Sequence, residues 1–153
     1  LHSVHHVSLD SNNGLPTAGH SSTIATMSPK KAHDIAVSVE SQFIDEQSKP
    51  LEDHYVFAYT ITIQNRGTIA ARLISRHWII TDGNGEIREV RGDGVVGEQP
   101  TMRPGEGYEY TSGAILETSV GTMHGSYQML AEDGTRFDAD IPSFVLSIPR
   151  TLH

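Results

Sequence analysis

Between Val90 and Pro100 the chain carries Gly92, Gly94 and Gly97 in the spacing G-x-G-x-x-G. Glycines so spaced let a backbone turn tightly against a dinucleotide pyrophosphate, whose charge then rests on the amides opening the next helix. That chemistry needs a strand before the loop and a helix after it. Ile87 to Val90 can supply the strand. The helix is missing, because Gly97 leads into Glu98-Gln99-Pro100 and then into a turn at Pro104-Gly105. Asp93 and Glu98 also oppose an anion, so the dinucleotide reading is rejected. Two readings remain. Successive N–H groups in a glycine loop can form an anion nest, with Arg88, Arg91 or Arg103 nearby. Alternatively, the glycines give a long connection the freedom to cross from one sheet to the other. The second is preferred; the first leaves Gly92, Gly94, Gly97, Arg91 and Arg103 as candidate ligand-binding residues for pyrophosphate or a nucleotide.

No other group of side chains assembles a reaction. Outside the N-terminal stretch the histidines are His33, His54, His77, His124 and His153, and none stands two or four residues from another. A metal centre wants three or four converging ligands. His77 with Asp82 or Glu86 could meet across a hairpin, but a strand histidine with one hydrogen bond is the simpler reading. Asp82-Gly83-Asn84-Gly85-Glu86 resembles the start of a calcium loop without its distal ligands, and reads as a hairpin turn. Ser75, Ser112 and Ser126 lack a nucleophile-elbow pattern. Arg72 and Arg76 alternate with apolar residues and are read as solvated side chains on an outer sheet face. The expectation is no enzyme, no cofactor and no metal.

The elements that position these residues are strands. Ile35, Val37, Val39 and Phe43 recur at odd positions, and Tyr55, Phe57, Tyr59, Ile61 and Ile63 do so more strongly. That period of two is a pleated surface with one apolar side. Leu73 to Thr81 forms a third strand with Trp78, and Ile87 to Val90 returns from the hairpin. Tyr108 and Tyr110 share a face of a strand ending near Ser112-Gly113. Met123, Tyr127 and Met129 mark a strand opened by Gly121 and broken at Gly125. Phe137, Ala139 and Ile141 point one way; after Pro142 the apolar set moves to Phe144, Leu146 and Ile148, which predicts a bulge. No segment sustains a helical period. About seven or eight strands with turns between them predict an all-β, immunoglobulin/fibronectin type III-like antiparallel β-sandwich.

The 153 residues suffice for one domain with a core. There are no cysteines, so disulfides and thiol chemistry are excluded. The formal net charge of -8 repels phosphate backbones, and nucleic-acid binding is not expected. No apolar run approaches the roughly 18 residues of a membrane span, and the expected location is cytoplasmic. Residues 1–26 are polar and without period; they read as a disordered leader, foreign to a domain running from Met27 to His153.

Several blocks of that domain occur in an order that resembles the ApaG family of small bacterial proteins. They are Glu46-Gln47-Ser48 with Pro50, Tyr55-Val56-Phe57-Ala58-Tyr59-Thr60-Ile61, Ser75-Arg76-His77-Trp78 and the glycine loop from Gly92 to Pro100. Pro104-Gly105-Glu106, Tyr110-Thr111-Ser112-Gly113, Gly121 to Tyr127 and Ile141-Pro142-Ser143-Phe144 complete the set. The resemblance implies a fibronectin-type sandwich. It also implies a genetic association with cobalt resistance and magnesium efflux, without an established molecular activity. Related domains in eukaryotic F-box proteins and a polymerase-interacting protein suggest a module for protein–protein interaction. Pyrophosphate or nucleotide binding through the glycine motif is the alternative. The expectation is therefore a non-catalytic binding module with a protein partner of unknown identity, and a strand-edge homodimer as a further possibility.

Overall fold

The computed structural model describes residues 7–9 and 30–149. Nine strands make two antiparallel sheets: β1 (Val7–Leu9), β2 (Ile35–Phe43), β3 (Tyr55–Asn65), β4 (Ala71–Asp82), β5 (Ile87–Asp93), β6 (Thr101–Met102), β7 (Gly107–Leu116), β8 (Val120–Ala131) and β9 (Arg136–Ser147). One sheet has the order β1-β7-β3-β2. The other has β5-β4-β8-β9, with β6 also on β4. Seven of the strands are long, as the alternating patterns require; β1 and β6 are three and two residues. The segment expected to be an irregular loop, Asp45 to Asp53, holds two 3₁₀ turns, Asp45–Gln47 and Pro50–Glu52.

Alternation places one face of each long strand in a shared core. Phe57, Tyr59, Ile61 and Ile63 of β3 face Leu73, Trp78 and Ile80 of β4, and Met123, Tyr127 and Met129 of β8, all buried. Trp78 meets Tyr59 with ring centroids 5.4 Å apart and Phe144 at 5.9 Å, in edge-to-face geometry. Such pairs add about 0.5–1.5 kcal/mol beyond area burial. Along one flank β2 packs beside β9, and Ser41 Oγ donates to the Val145 carbonyl at 3.1 Å. On the opposite flank β5 and β7 do not pack side by side as β2 and β9 do.

Four details differ from the sequence-based expectations. The strand from Ile87 runs on to Asp93, because Gly92 and Asp93 pair with Arg76 and Ser75. The β7 strand continues past Gly113 to Leu116 on the long ladder with β3. Gly125 does not break β8; it lies opposite Trp78, where the two backbones come too close for a side chain. Of the stretch expected to be a disordered leader, Val7–Leu9 pairs with Gly107–Glu109 on the edge of β7. The other leader residues lie outside the described residues, as does His153. The parity change at Pro142 is a bulge: Met123 faces Phe144 while Gly125 faces Ile141, so β9 carries one extra residue.

A second bulge sits in β4. Leu73 pairs with Met129 and Ser75 with Gln128, leaving Ile74 unmatched. The extra residue inverts the parity of the strand, so that Leu73 points into the core and, further on, Trp78 and Ile80 do. Arg76 is in phase with Trp78 and Ile80. The expectation of Arg72 and Arg76 together on an outer face therefore fails for Arg76. Arg72 remains exposed and binds Gln99 through its carbonyl and side-chain oxygens at 3.2 and 3.0 Å.

Candidate functional site: the glycine hairpin and the cleft beside it

After Asp93 the chain folds back on itself over Val95–Glu98. Val95 N–H donates to the Glu98 carbonyl at 2.8 Å and Glu98 N–H to the Val95 carbonyl at 2.9 Å. The central residues Val96 and Gly97 have φ of 47° and 82°, the signature of a type I′ turn. A β-branched residue at positive φ is an outlier; Val96 is held there by packing against the core. Gly94, at φ 61°, would place a Cβ 2.3 Å from the Glu98 carbonyl oxygen. Gly94 and Gly97 thus answer to the geometry of the turn itself. The loop joins β5 to β6, which both lie on β4, so it does not cross between sheets as expected. The crossing comes later, at the Arg103–Glu106 turn. No α-helix follows Gly97 among the described residues.

The loop is moored to the β4 bulge. The Ile74 carbonyl accepts from Gly94 N–H at 2.7 Å and from Gln99 Nε2 at 2.9 Å, and Leu73 N–H donates to the Pro100 carbonyl at 3.0 Å. The amides of Gly94, Val95 and Glu98 are therefore already paired with carbonyls. Gly92 has a different task. A Cβ there would lie 2.7–2.8 Å from the Arg76 guanidinium, which rests across the bare glycine. Arg76 Nη1 donates to the carbonyls of Asp93 at 3.0 Å and Gly94 at 2.9 Å.

The candidate arginines separate. Arg91 borders an open depression of about 590 Å³ with His77, Gly92, Ser126 and Asp138. Arg103 lies in its own turn, with Nη2 3.0 Å from Glu106 Oε2, and lines neither that depression nor the cleft below. Its guanidinium and backbone N–H hold the Glu106 carboxyl below the usual carboxylate range. His77 meets neither Asp82 nor Glu86; its Nε2 stands 3.5 Å from Glu89 Oε1. The expected hairpin at Asp82 is present, with Asp82 Oδ1 accepting from the amides of Asn84 and Glu86 at 2.8 and 3.0 Å. Among the described residues no three His, Asp or Glu side chains converge as for a metal.

On the open flank a cleft of about 440 Å³ enters the sandwich between β5 and β7. Its apolar walls are Trp78, Ile80, Val90, Ala114, Ile115 and Met123; its polar groups come from Tyr59, Ser112, Arg76 and Arg88. Arg88 Nη2 reaches across the mouth to the Ile115 carbonyl at 3.1 Å. Sequence reasoning missed Arg76 as an inward residue. The signal was present: the apolar positions of that strand pass from odd at Leu73 to even at Trp78 and Ile80, the same parity change that marks the Pro142 bulge.

Behind Arg76 the tyrosines form a hydroxyl-lined interior, in which Tyr110 and Tyr127 hydrogen-bond to each other through their hydroxyls. Burial raises the phenol pKa of Tyr59, Tyr110 and Tyr127, while the Arg76 charge pulls each back. Tyr108 is raised by burial first, then by the Glu98 carboxylate that its hydroxyl meets at 3.0 Å. A raised acid contributes stability that is fully present below the unfolded pKa of about 10 and is lost as pH rises beyond it. In an alkaline titration these four of the five tyrosines are expected to ionise only as the sheets unfold. Phenolate absorbance equivalent to two or more residues, appearing while the far-ultraviolet dichroism is intact, would contradict this.

The family model described as the ApaG domain matches residues 45–131. Protein ApaG of Azoarcus sp. (strain BH72) is 61% identical over 127 residues, 83% of this chain and 100% of that protein. Protein ApaG of Thiobacillus denitrificans matches with the same identity and coverage. A Bordetella pertussis protein solved under the designation ApaA superposes with a TM-score of 0.78 at 52% identity, over 80% of this chain and 100% of that one.

Proposed function

The chain belongs to the ApaG family, and from that premise we propose that it is a non-catalytic, cytoplasmic binding module. It holds a protein partner and acts through it in cobalt and magnesium homeostasis or efflux. No helix among the described residues is long and apolar enough to cross a membrane, so a role in efflux would run through that partner.

The observation that carries this reading is the outer edge of β5. The strand ends its sheet and pairs with β4 on one side only. Ile87 is 67% exposed and Val90 39%. An open edge with apolar side chains offers main-chain hydrogen bonds to an added strand and contacts that select it. The edge of β7 already takes an added strand, Val7–Leu9, and a second copy pairing β5 to β5 is the homodimeric form of the same mode. Pyrophosphate or nucleotide binding on the loop has less support, since three of its amides are engaged and Arg91 and Arg103 share neither cavity.

The test is affinity capture from the source organism with three baits: wild type, Ile87→Lys, and Leu51→Lys as a control at a more exposed apolar residue away from β5. One protein is expected with wild type and Leu51→Lys and lost with Ile87→Lys. A deletion strain complemented with Ile87→Lys should remain cobalt-sensitive. Capture that ignores Ile87, or full cobalt tolerance with that variant, would count against the reading.

A further inference from the structure

We propose that the cleft between β5 and β7 binds an amphipathic carboxylate, with its apolar body against Trp78 and Met123 and its charged head on Arg76. This site shares Val90 and Arg88 with β5, but its occupant is a small molecule and its binding does not depend on a protein partner.

The reason is a cation without an ion-pair partner on the wall of a largely apolar cleft, although the same residue also borders the outer depression that holds Asp93 and Asp138. Arg76 is half-buried, and its hydrogen-bond partners are two backbone carbonyls. No carboxylate pairs with it among the described residues. The chain has 19 acidic residues, yet none of the 11 residues lining the cleft is acidic, and two are arginines. Removing a cation from water without a counter-charge is costly, and an incoming anion relieves that cost. Only Nη1 is engaged, so Nε and Nη2 remain as the parallel donors that a carboxylate accepts in bidentate fashion. Tyr59 and Ser112 add hydroxyls to the same lining.

The walls decide the rest of the ligand. An inorganic anion would leave the Trp78, Val90, Ile115 and Met123 surfaces wet, and a plain hydrocarbon would leave Arg76 without a counter-charge. A medium-chain or aryl carboxylate uses both. A volume of about 440 Å³ lies within the usual range for small-molecule sites.

Trp78 is the sole tryptophan, so its fluorescence reports on the cleft directly. The full chain is titrated with octanoate, octylamine and inorganic phosphate at neutral pH. Octanoate is expected to give a saturable change, and the other two none over the same range. Arg76→Met should weaken octanoate by about tenfold or more, the scale of a charge-assisted pair. Because Arg76 also ties down the loop, Val90→Asp provides a second variant: it places an acid at the exposed mouth, and should weaken octanoate similarly while the melting temperature holds. The proposal is overturned if octanoate produces no saturable change, or if octylamine or phosphate produces the same one. It is overturned equally if the folded variants bind octanoate as wild type does.

Discussion

Gly125→Ala is expected to cost about 3 kcal/mol, the upper end for overpacking a close-packed interior, and to lower the Tm by roughly 10 °C. A Cβ at Gly125 would lie 2.0 Å from the His77 carbonyl oxygen and 3.2 Å from the Trp78 Cα. Both atoms are backbone of the neighbouring strand, so neither can swing aside as a side-chain end would. Relief requires β4 and β8 to part at the centre of their sheet, where Gly125 faces Trp78. Gly134→Ala is the informative control. Its φ is 85° but no atom lies within 4 Å of the added methyl, so it carries only the left-handed penalty of about 1–2 kcal/mol. Thermal unfolding of the two variants separates contact from conformation. A Gly125→Ala protein melting within a few degrees of wild type would show that the strands can part at little cost.

Asn65→Asp is expected to lose about 3–5 kcal/mol at neutral pH, the penalty of an uncompensated buried charge. Asn65 is 1% exposed and is the one polar residue buried among the described residues. Its Nδ2 donates to the carbonyls of Ile69 and Met102, both at 2.9 Å, and its Oδ1 accepts from Gly67 N–H at 2.8 Å. Its own N–H and carbonyl bond to Glu106 and Gly105. The side chain thus ties the end of β3 to the following turn and to β6, while the backbone of the same residue ties it to the crossover into β7. Aspartate has the same shape, but when ionised it turns two donors into an acceptor facing two carbonyls. Burial would raise its folded pKa above the unfolded value of about 3.9. The deficit against wild type is then largest above the folded pKa and shrinks as pH falls through it, since the protonated acid can donate to one carbonyl. Urea midpoints measured against pH test this. A variant equal to wild type at pH 7, or one whose deficit grows on acidification, would refute it.

The strands were legible because alternation is local: Ile35 to Phe43 and Tyr55 to Ile63 show their buried faces within a few residues. The glycine loop was legible in what it lacked, a helix after Gly97, but not in what its glycines do. Gly92 answers to Arg76, sixteen positions earlier, and Gly94 to the carbonyl of Glu98. Neither contact exists until strand pairing brings the partners together. Gly125 resembled a strand break because an unsubstituted residue inside a strand is ambiguous: it can mark an end, or a place where a neighbouring chain presses close. Arg91 and Arg103 stand apart, because the turn after β6 carries Arg103 away from the depression that Arg91 borders.

The unmatched Ile74 gives β4 something like a reading frame. Every side chain after it is assigned inside or outside by count, not by kind. Without that one residue, the same Arg76, Trp78 and Ile80 would exchange places with His77 and Ile79, and the sandwich would enclose an imidazole instead of a guanidinium. Whether a guanidinium or an imidazole faces the cleft is therefore decided by one extra residue in the backbone register.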